Sequence, residues 1–312
     1  MAIGRRTRDA LAVIAIALAS AALFVSPAFE RGRGLSLDAL TWLRFEAFGN
    51  RHDASTSPAV VIAIDEESYQ AAPFKGAPLL TWTGEIGRVL TTVLDGGART
   101  VGFDIVFQTS IEQSEIPLGD STLGERTRGF DRDFLRALAS AAASGKVVLG
   151  EIFGEPPILP APGQRIAVRQ QQNLRPLNTY TDSDDVVRRH PLTLNAEGKA
   201  VPSMALELAA RATGKAPVIA ADGVTLGDYT VPSSVPDTMT LNFAGGADDI
   251  PTYSFADLRA CALKGDKDYF RREFEGKIVL IGTVGIEDRR LTSKRFATRA
   301  EGARRPRCAL GE

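Results

Sequence analysis

The feature that most constrains this chain is an apolar run near its amino terminus. Residues 10–29 contain no charged side chain. As a helix rising 1.5 Å per residue they would extend roughly 30 Å, about the thickness of the hydrocarbon core of a bilayer. Arg5, Arg6 and Arg8 precede the run, so its amino end is expected to stay in the cytoplasm. The sequence therefore predicts a cytoplasmic segment at residues 1–9 and a transmembrane signal anchor at residues 10–29.

A cleaved signal peptide is the alternative for the same run, because Ser26-Pro27-Ala28 could serve as a small-residue cleavage site. We favour an anchor, since the run is long for the hydrophobic region of a signal peptide. On either interpretation, everything after residue 30 lies outside the cytoplasm. In an oxidising compartment the two cysteines of the chain, Cys261 and Cys308, are expected to form a disulfide.

Composition narrows the class of protein further. Apolar residues make up 44% of the chain and charged residues 24%, which indicates a globular protein rather than a disordered one. The net charge of −1 gives no reason to expect a nucleic-acid partner. The chain holds two cysteines and two histidines, without a CxxC pair or a nucleotide-binding loop. We therefore predict no metal site and no cofactor.

Strands and helices alternate after a linker of Gly, Asp, Ser and Pro residues that ends at residue 57. Apolar runs at 60–65, 101–107 and 146–152 predict buried strands, and helical spacing of apolar residues predicts helices between them. This order is typical of parallel βαβ units. The predicted fold class is α/β, with a mixed, mainly parallel sheet flanked by helices and preceded by one transmembrane helix. Within residues 30–57, an amphipathic helix is predicted at 35–48.

Two of the predicted strands end on an acidic residue, Asp65 in "VVIAID" and Asp104 in "VGFD". Ligands of parallel sheets bind beyond the carboxyl ends of the strands, where both aspartates would lie. Two carboxylates could hold a divalent cation or act as an acid–base pair. The ordinary alternative is that they cap the turns and helices that follow, since aspartate is common in such loops. Catalysis is the least favoured of these interpretations.

A series of motifs in fixed order resembles a known family. "VVIAIDEESY", "VLTTVLDGGARTVGFDIVF", "DSDDVVRRHPL", "VPSMALELA", "LNFAG", "TYSFADL" and "FEGKIVLIGTVGIEDRRLTSKRF" are similar to the type-two CHASE domain, a sensory extracellular domain of bacterial signalling receptors. The resemblance covers roughly residues 35–300. It implies a sensor domain at residues 58–300 in the periplasm, anchored in the cytoplasmic membrane and without catalytic activity. A basic tail would follow at residues 301–312.

The resemblance also implies a site and partners. Asp65, Asp104 and Asp288 fall at the acidic motif positions of the family, so the candidate ligand-binding residues are Asp65, Glu66, Asp104, Thr283, Asp288 and Arg289. The expected ligand is an unknown small molecule or envelope component. Such receptors usually continue into a cytoplasmic output domain, often an adenylate or guanylate cyclase, which this sequence is expected to lack. A homodimer or a separate membrane effector would then carry the signal.

Two alternatives come from other classes of protein. An exported metal-dependent hydrolase would use Asp65 and Asp104, and its turnover would disappear in Asp65→Asn. A cleaved, soluble periplasmic binding protein would begin near residue 29.

Overall fold

The computed structural model describes residues 13–18, 20–22, 27–220, 223–232, 235–243, 249–284 and 291–292. Its labelled α-helices are α1 Pro27–Phe48, α2 Glu66–Gln70, α3 Thr83–Asp95, α4 Leu123–Arg126, α5 Arg132–Ala143, α6 Pro162–Ala167, α7 Met204–Thr213, α8 Phe255–Lys264 and α9 Lys267–Phe274. Its strands are β1 Ala59–Ile64, β2 Thr100–Asp104, β3 Pro117–Leu118, β4 Ser121–Thr122, β5 Val147–Glu151, β6 Leu174–Pro176, β7 Val186–Val187, β8 Arg189–Pro191, β9 Thr193–Ala196, β10 Lys199–Pro202, β11 Pro217–Ala220, β12 Gly223–Leu226, β13 Tyr229–Thr230, β14 Thr238–Thr240, β15 Thr252–Ser254, β16 Ile278–Thr283 and β17 Leu291–Thr292.

A six-stranded sheet forms the centre of the domain, with strand order β15-β1-β16-β2-β5-β6. Every neighbouring pair in it is parallel. The predicted α/β class with a mainly parallel sheet is therefore confirmed. The smaller sheets are antiparallel except for the β7–β17 pair, and they include the β9–β10 hairpin and the three-stranded β11–β12–β13 meander. β16 lies between β1 and β2, although it is the last of the six strands along the chain.

The main core lies between one face of the sheet and a layer of helices. Alternate residues of the strands point to this face, as the two-residue period of a strand requires. Ile62, Phe103 and Ile281 are completely buried there against α3, α5, α8 and α9. The amphipathic pattern of α3 predicts this packing, because Ile86, Leu90 and their neighbours form one buried stripe.

α7 covers part of the opposite face of the sheet. Met204 and Leu208 of α7 pack against Val148 of β5. A Cβ on Gly102 of β2 would lie 2.6 Å from a methyl carbon of Leu208, so only glycine allows the helix to approach this closely. Beyond α7, the small antiparallel sheets enclose a second apolar cluster around Leu192 and Leu206.

α1 confirms the helix predicted at residues 35–48 and extends it to Pro27. Its apolar side chains do not enter the core: Leu35, Leu40 and Leu43 are 53–62% exposed. Residues 13–18 and 20–22 of the predicted span are also helical, whereas residues 10–12, 19 and 23–26 lie outside the described residues. Within the part of the chain that the structure describes, no helix combines the length and the apolar character needed to cross a bilayer.

Residues 186–196 form three short strands, β7, β8 and β9, rather than one continuous strand. Asp185, directly before β7, has φ of +60°, so extended backbone begins only at Val186. Pro191 ends β8 and has no N–H for a sheet ladder. The irregular path turns the Arg188 side chain inward, where it becomes the centre of a buried ionic cluster.

Candidate functional site: a sheet edge and a buried arginine cluster

The candidate acidic residues lie at the carboxyl edge of three adjacent strands. Asp104 ends β2 opposite Gly282 of β16. Asp65 directly follows Ile64, which pairs with Thr283 of the same strand. Because β16 separates β1 from β2, Thr283 lies between the two aspartates. The expected position of both carboxylates at this edge is therefore confirmed, whereas their binding of a ligand stays a prediction.

Asp65 caps a helix at this edge. It is the N-cap of α2, and its Oδ1 accepts hydrogen bonds from the Ser68 N–H at 3.0 Å and the Ser68 hydroxyl at 2.9 Å. The Ser254 hydroxyl donates to the same oxygen at 2.9 Å. Ser254 ends β15, so one carboxylate joins the loop after β1 to the start of α8. This is the capping role that the sequence left open as the ordinary alternative.

The remaining candidate residues differ in how far they are exposed. Asp104 and Glu66 are exposed, and Glu66 accepts a hydrogen bond from the Gln70 side chain at 2.9 Å. Thr283 is half-buried at the end of β16. Asp288 and Arg289 lie outside the described residues, so their expected convergence with Asp65 and Asp104 stays a prediction.

A buried arginine that the sequence pattern did not single out forms the centre of a second polar cluster. Arg188 is 1% exposed. Its Nε and Nη2 donate to the two oxygens of Asp38 at 2.9 and 2.8 Å. Its Nη1 donates to Asp182 at 2.9 Å and to Asp184 at 2.8 Å, and Nη2 also donates to Asp184 at 2.8 Å. We call Arg188, Asp38, Asp182 and Asp184 the Arg188 cluster.

Ion pairing and hydrogen bonding explain how the Arg188 guanidinium is tolerated in a buried place. A buried arginine must be paired and fully hydrogen-bonded, and the paired fork of Asp38 is the strongest arrangement for a guanidinium. The hydrogen bonds from Arg188 lower the pKa of Asp184 to about 2. The same carboxylates, Asp38 foremost, raise the pKa of the Arg188 guanidinium above its ordinary value. Asp184 and Arg188 are therefore both charged at neutral pH.

The Arg188 cluster joins distant parts of the chain. Asp38 belongs to α1, whereas Asp182 and Asp184 precede β7 and Arg188 follows it. β7 also pairs in parallel with β17, through Val186 and Leu291. The helix that follows the apolar amino-terminal run and the strand nearest the end of the described residues therefore meet at one segment. A second contact fixes α1, since Arg44 donates to the carbonyl of Phe243 at 2.6 Å.

The sequence contained a partial signal for this cluster. The run "DSDDVVRRH" alternates acids and arginines within a few residues, which favours local ion pairs. Nothing in it points to Asp38, which lies 150 residues earlier. The inward turn of Arg188 depends on the broken strand, and local patterning does not reveal such a turn.

A cavity of about 550 Å³ adjoins the cluster. Its wall includes Arg189, the β9–β10 hairpin and the residues that lead into β14. Arg189 donates from Nη2 to Asp182, the same carboxylate that Arg188 contacts. The cavity wall and the buried cluster therefore share one carboxylate.

A second cavity, of about 500 Å³, lies at the carboxyl edge of the sheet between the loops that follow β1 and β2. Its lining is mainly apolar and includes Leu80, Ile111 and Leu123. Ser110 also lines it, and the Ser110 hydroxyl donates to the buried Asp131. The candidate residues Asp65 and Asp104 are not among its lining residues.

Comparison with protein families gives the class: the chain matches the CHASE2 domain over residues 11–302. The chain belongs to this family of extracellular sensory domains. No curated protein and no solved structure matches it.

Proposed function

We propose that this chain is a membrane-anchored sensory module of a bacterial signalling system, with its domain in the periplasm and without catalytic activity. The apolar residues 10–29 would form the anchor, and α1 would carry the state of the domain to the membrane. The observation that supports this proposal is the Arg188 cluster, which attaches α1 to the domain through a buried, forked ion pair.

The physical argument concerns how α1 can move. Breaking a buried ion pair leaves an uncompensated charge, at a cost of about 3–5 kcal/mol. α1 therefore cannot slide or rotate by small increments, because Asp38 either pairs with Arg188 or loses it. An interface with discrete arrangements is what a transmitting element requires, since a signal acts by stabilising one arrangement over another.

α1 would pass the signal on either within a homodimer or to a separate membrane effector. Leu35, Trp42 and Leu43 are exposed on α1 at spacings of seven and one residues, so they form an apolar stripe along one side of the helix. Two copies anchored side by side would bury this stripe. A disulfide between Cys261 and Cys308 remains part of the proposal: Cys261 is completely buried in α8, and Cys308 lies outside the described residues.

Membrane fractionation tests the anchoring and location. The full chain, expressed in a Gram-negative host, is expected to stay with the membranes after alkaline carbonate extraction. Protease added to spheroplasts should digest the domain, whereas a cytoplasmic marker protein stays intact. A processed chain in the periplasmic extract would support the soluble binding protein instead. A protected or cytosolic chain would contradict a periplasmic sensor.

A further inference from the structure

The cavity beside the Arg188 cluster carries one charge of each sign on its wall. Arg189 supplies a guanidinium and Asp237 a carboxylate. Hydroxyl groups of Tyr180, Thr181 and Thr193 supply further hydrogen-bonding positions. A volume of about 550 Å³ lies within the range of small-molecule sites.

The wall is held in place by hydrogen bonds. Asp237 Oδ1 accepts from the Thr193 hydroxyl at 3.0 Å. The carbonyl of Asp237 accepts from the N–H groups of Leu192 and Thr193, at 2.7 and 3.4 Å. Asp237 itself has φ of +60°, so these contacts fix an aspartate in a conformation that L-residues rarely adopt. Backbone in such a conformation is often retained at binding sites.

We propose that this cavity binds a small zwitterion that carries one carboxylate and one ammonium, the chemistry of a free amino acid. The ligand carboxylate pairs with Arg189, whose planar fork suits a carboxylate. The ammonium pairs with Asp237. A ligand with only negative charge would face Asp237 and Asp182, and one with only positive charge would face Arg189, so the zwitterion matches the wall best.

Binding at this site is linked to α1 through Asp182. Asp182 accepts hydrogen bonds from both Arg189 and Arg188. A ligand carboxylate competes with Asp182 for Arg189, which leaves Asp182 to Arg188 alone. Arg188 in turn holds Asp38 of α1. Because linkage is reciprocal, a change that loosens α1 also changes the affinity for the ligand. This inference rests on the proposed sensory function, whose ligand class it names.

Binding to the purified full chain in detergent tests the site independently of its location in a cell. Thermal unfolding is measured with each of the twenty free amino acids, and any that raises the midpoint is titrated by calorimetry. Its amide, which lacks the carboxylate, and its N-acetyl form, which lacks the ammonium, serve as matched probes. We expect at least one amino acid to bind and both altered forms to bind at least tenfold more weakly.

Variants assign the binding to the cavity. Arg189→Gln and Asp237→Asn should each weaken it tenfold or more, and circular dichroism checks that each variant folds. Arg99→Gln and Asp228→Asn are the controls, because both positions are exposed and outside the cavity, and these variants should bind normally. The proposal is overturned if no amino acid binds, if binding survives both cavity variants, or if the amide or N-acetyl form binds as well as the zwitterion.

Amide hydrogen exchange of residues 33–48 tests the link to α1. Saturating amino acid should change the exchange rate of this segment in the wild-type chain. In Arg189→Gln the same addition should leave it unchanged. Normal binding without any change in α1 would refute the linkage through Asp182 and leave membrane anchoring untouched.

Discussion

Two glycines on α1 stand two residues apart in different surroundings. Replacing either with alanine removes the backbone freedom of glycine, which stabilises a helix by roughly 1 kcal/mol. A Cβ at Gly32 would meet nothing within 4 Å, so Gly32→Ala should show this gain. A Cβ at Gly34 would lie 2.7 Å from Nη1 and 2.8 Å from Cζ of Arg188. These distances are too short for non-bonded atoms, so one group must move.

Arginine side chains usually move easily, but the guanidinium of Arg188 is held on every side. It donates to three carboxylates, among them Asp38 four residues along α1 from Gly34. Displacing it loses at least one charge-assisted hydrogen bond, about 1.5–3 kcal/mol. Overpacking adds about 1–3 kcal/mol. After the gain in helix propensity is subtracted, Gly34→Ala should destabilise the docking of α1 by about 1.5–5 kcal/mol.

Hydrogen exchange of residues 33–48 reads out this docking locally. Exchange should become faster in Gly34→Ala and slower in Gly32→Ala than in the wild-type chain. Urea unfolding followed by the fluorescence of Trp82, which is buried in the core, reports on the stability of the domain separately. A Trp42→Phe background removes the other tryptophan of the chain, so that the signal comes from Trp82 alone. If Gly34→Ala slows exchange as much as Gly32→Ala does, α1 is not held against Arg188 and the proposed route of transmission is wrong.

Two further predictions concern buried charges. Arg188→Met leaves three carboxylates without their shared partner, so it should lower the free energy of unfolding by about 3–5 kcal/mol in urea titrations. Arg99→Met, at an exposed position, is the control. A similarly small loss in both variants would refute the structural role of Arg188. Glu151 is 1% exposed, its Oε1 has no hydrogen-bond partner among the described residues, and burial raises its pKa above the usual 4.5. Because the folded state then holds the proton more tightly than the unfolded state, stability should fall as the pH rises from about 4.5 through the raised pKa. Glu151→Gln should remove this fall, so the variant should be more stable relative to the wild-type chain at pH 8 than at pH 5. An unchanged pH profile would refute the effect of burial on Glu151.

The central sheet could be predicted from the sequence because four of its strands carry a strong local signal. β1, β2, β5 and β16 are apolar runs followed or preceded by helices with clear periodicity. The position of Asp65 and Asp104 at the carboxyl edge followed from the parallel order of the strands. β6 has only three residues, Leu174–Pro176, which are too few to show a period.

Long-range polar contacts were beyond this kind of prediction. The pairing of Arg188 with Asp38 depends on where α1 docks. The sequence around each residue is the same as would be expected for a charged residue on the solvent-exposed surface. An amphipathic pattern is usually taken to face the core, yet Leu35, Leu40 and Leu43 of α1 are exposed. The inner side of α1 is instead selected by Gly34 and Asp38, one for close approach and the other for charge.

The position of β16 has a consequence for how the protein is made. Ala59 of β1 pairs with Ile278 of β16, so these two neighbouring strands of the sheet are about 220 residues apart in the chain, a separation that slows folding. While the polypeptide emerges in order, β1 and β2 have no common neighbour and expose unpaired backbone edges, which are prone to aggregate. The sheet can close only after residue 283 has arrived. A nascent chain of this protein therefore needs protection through most of its synthesis and export, and nonsense mutations before residue 278 should yield insoluble fragments rather than smaller working sensors.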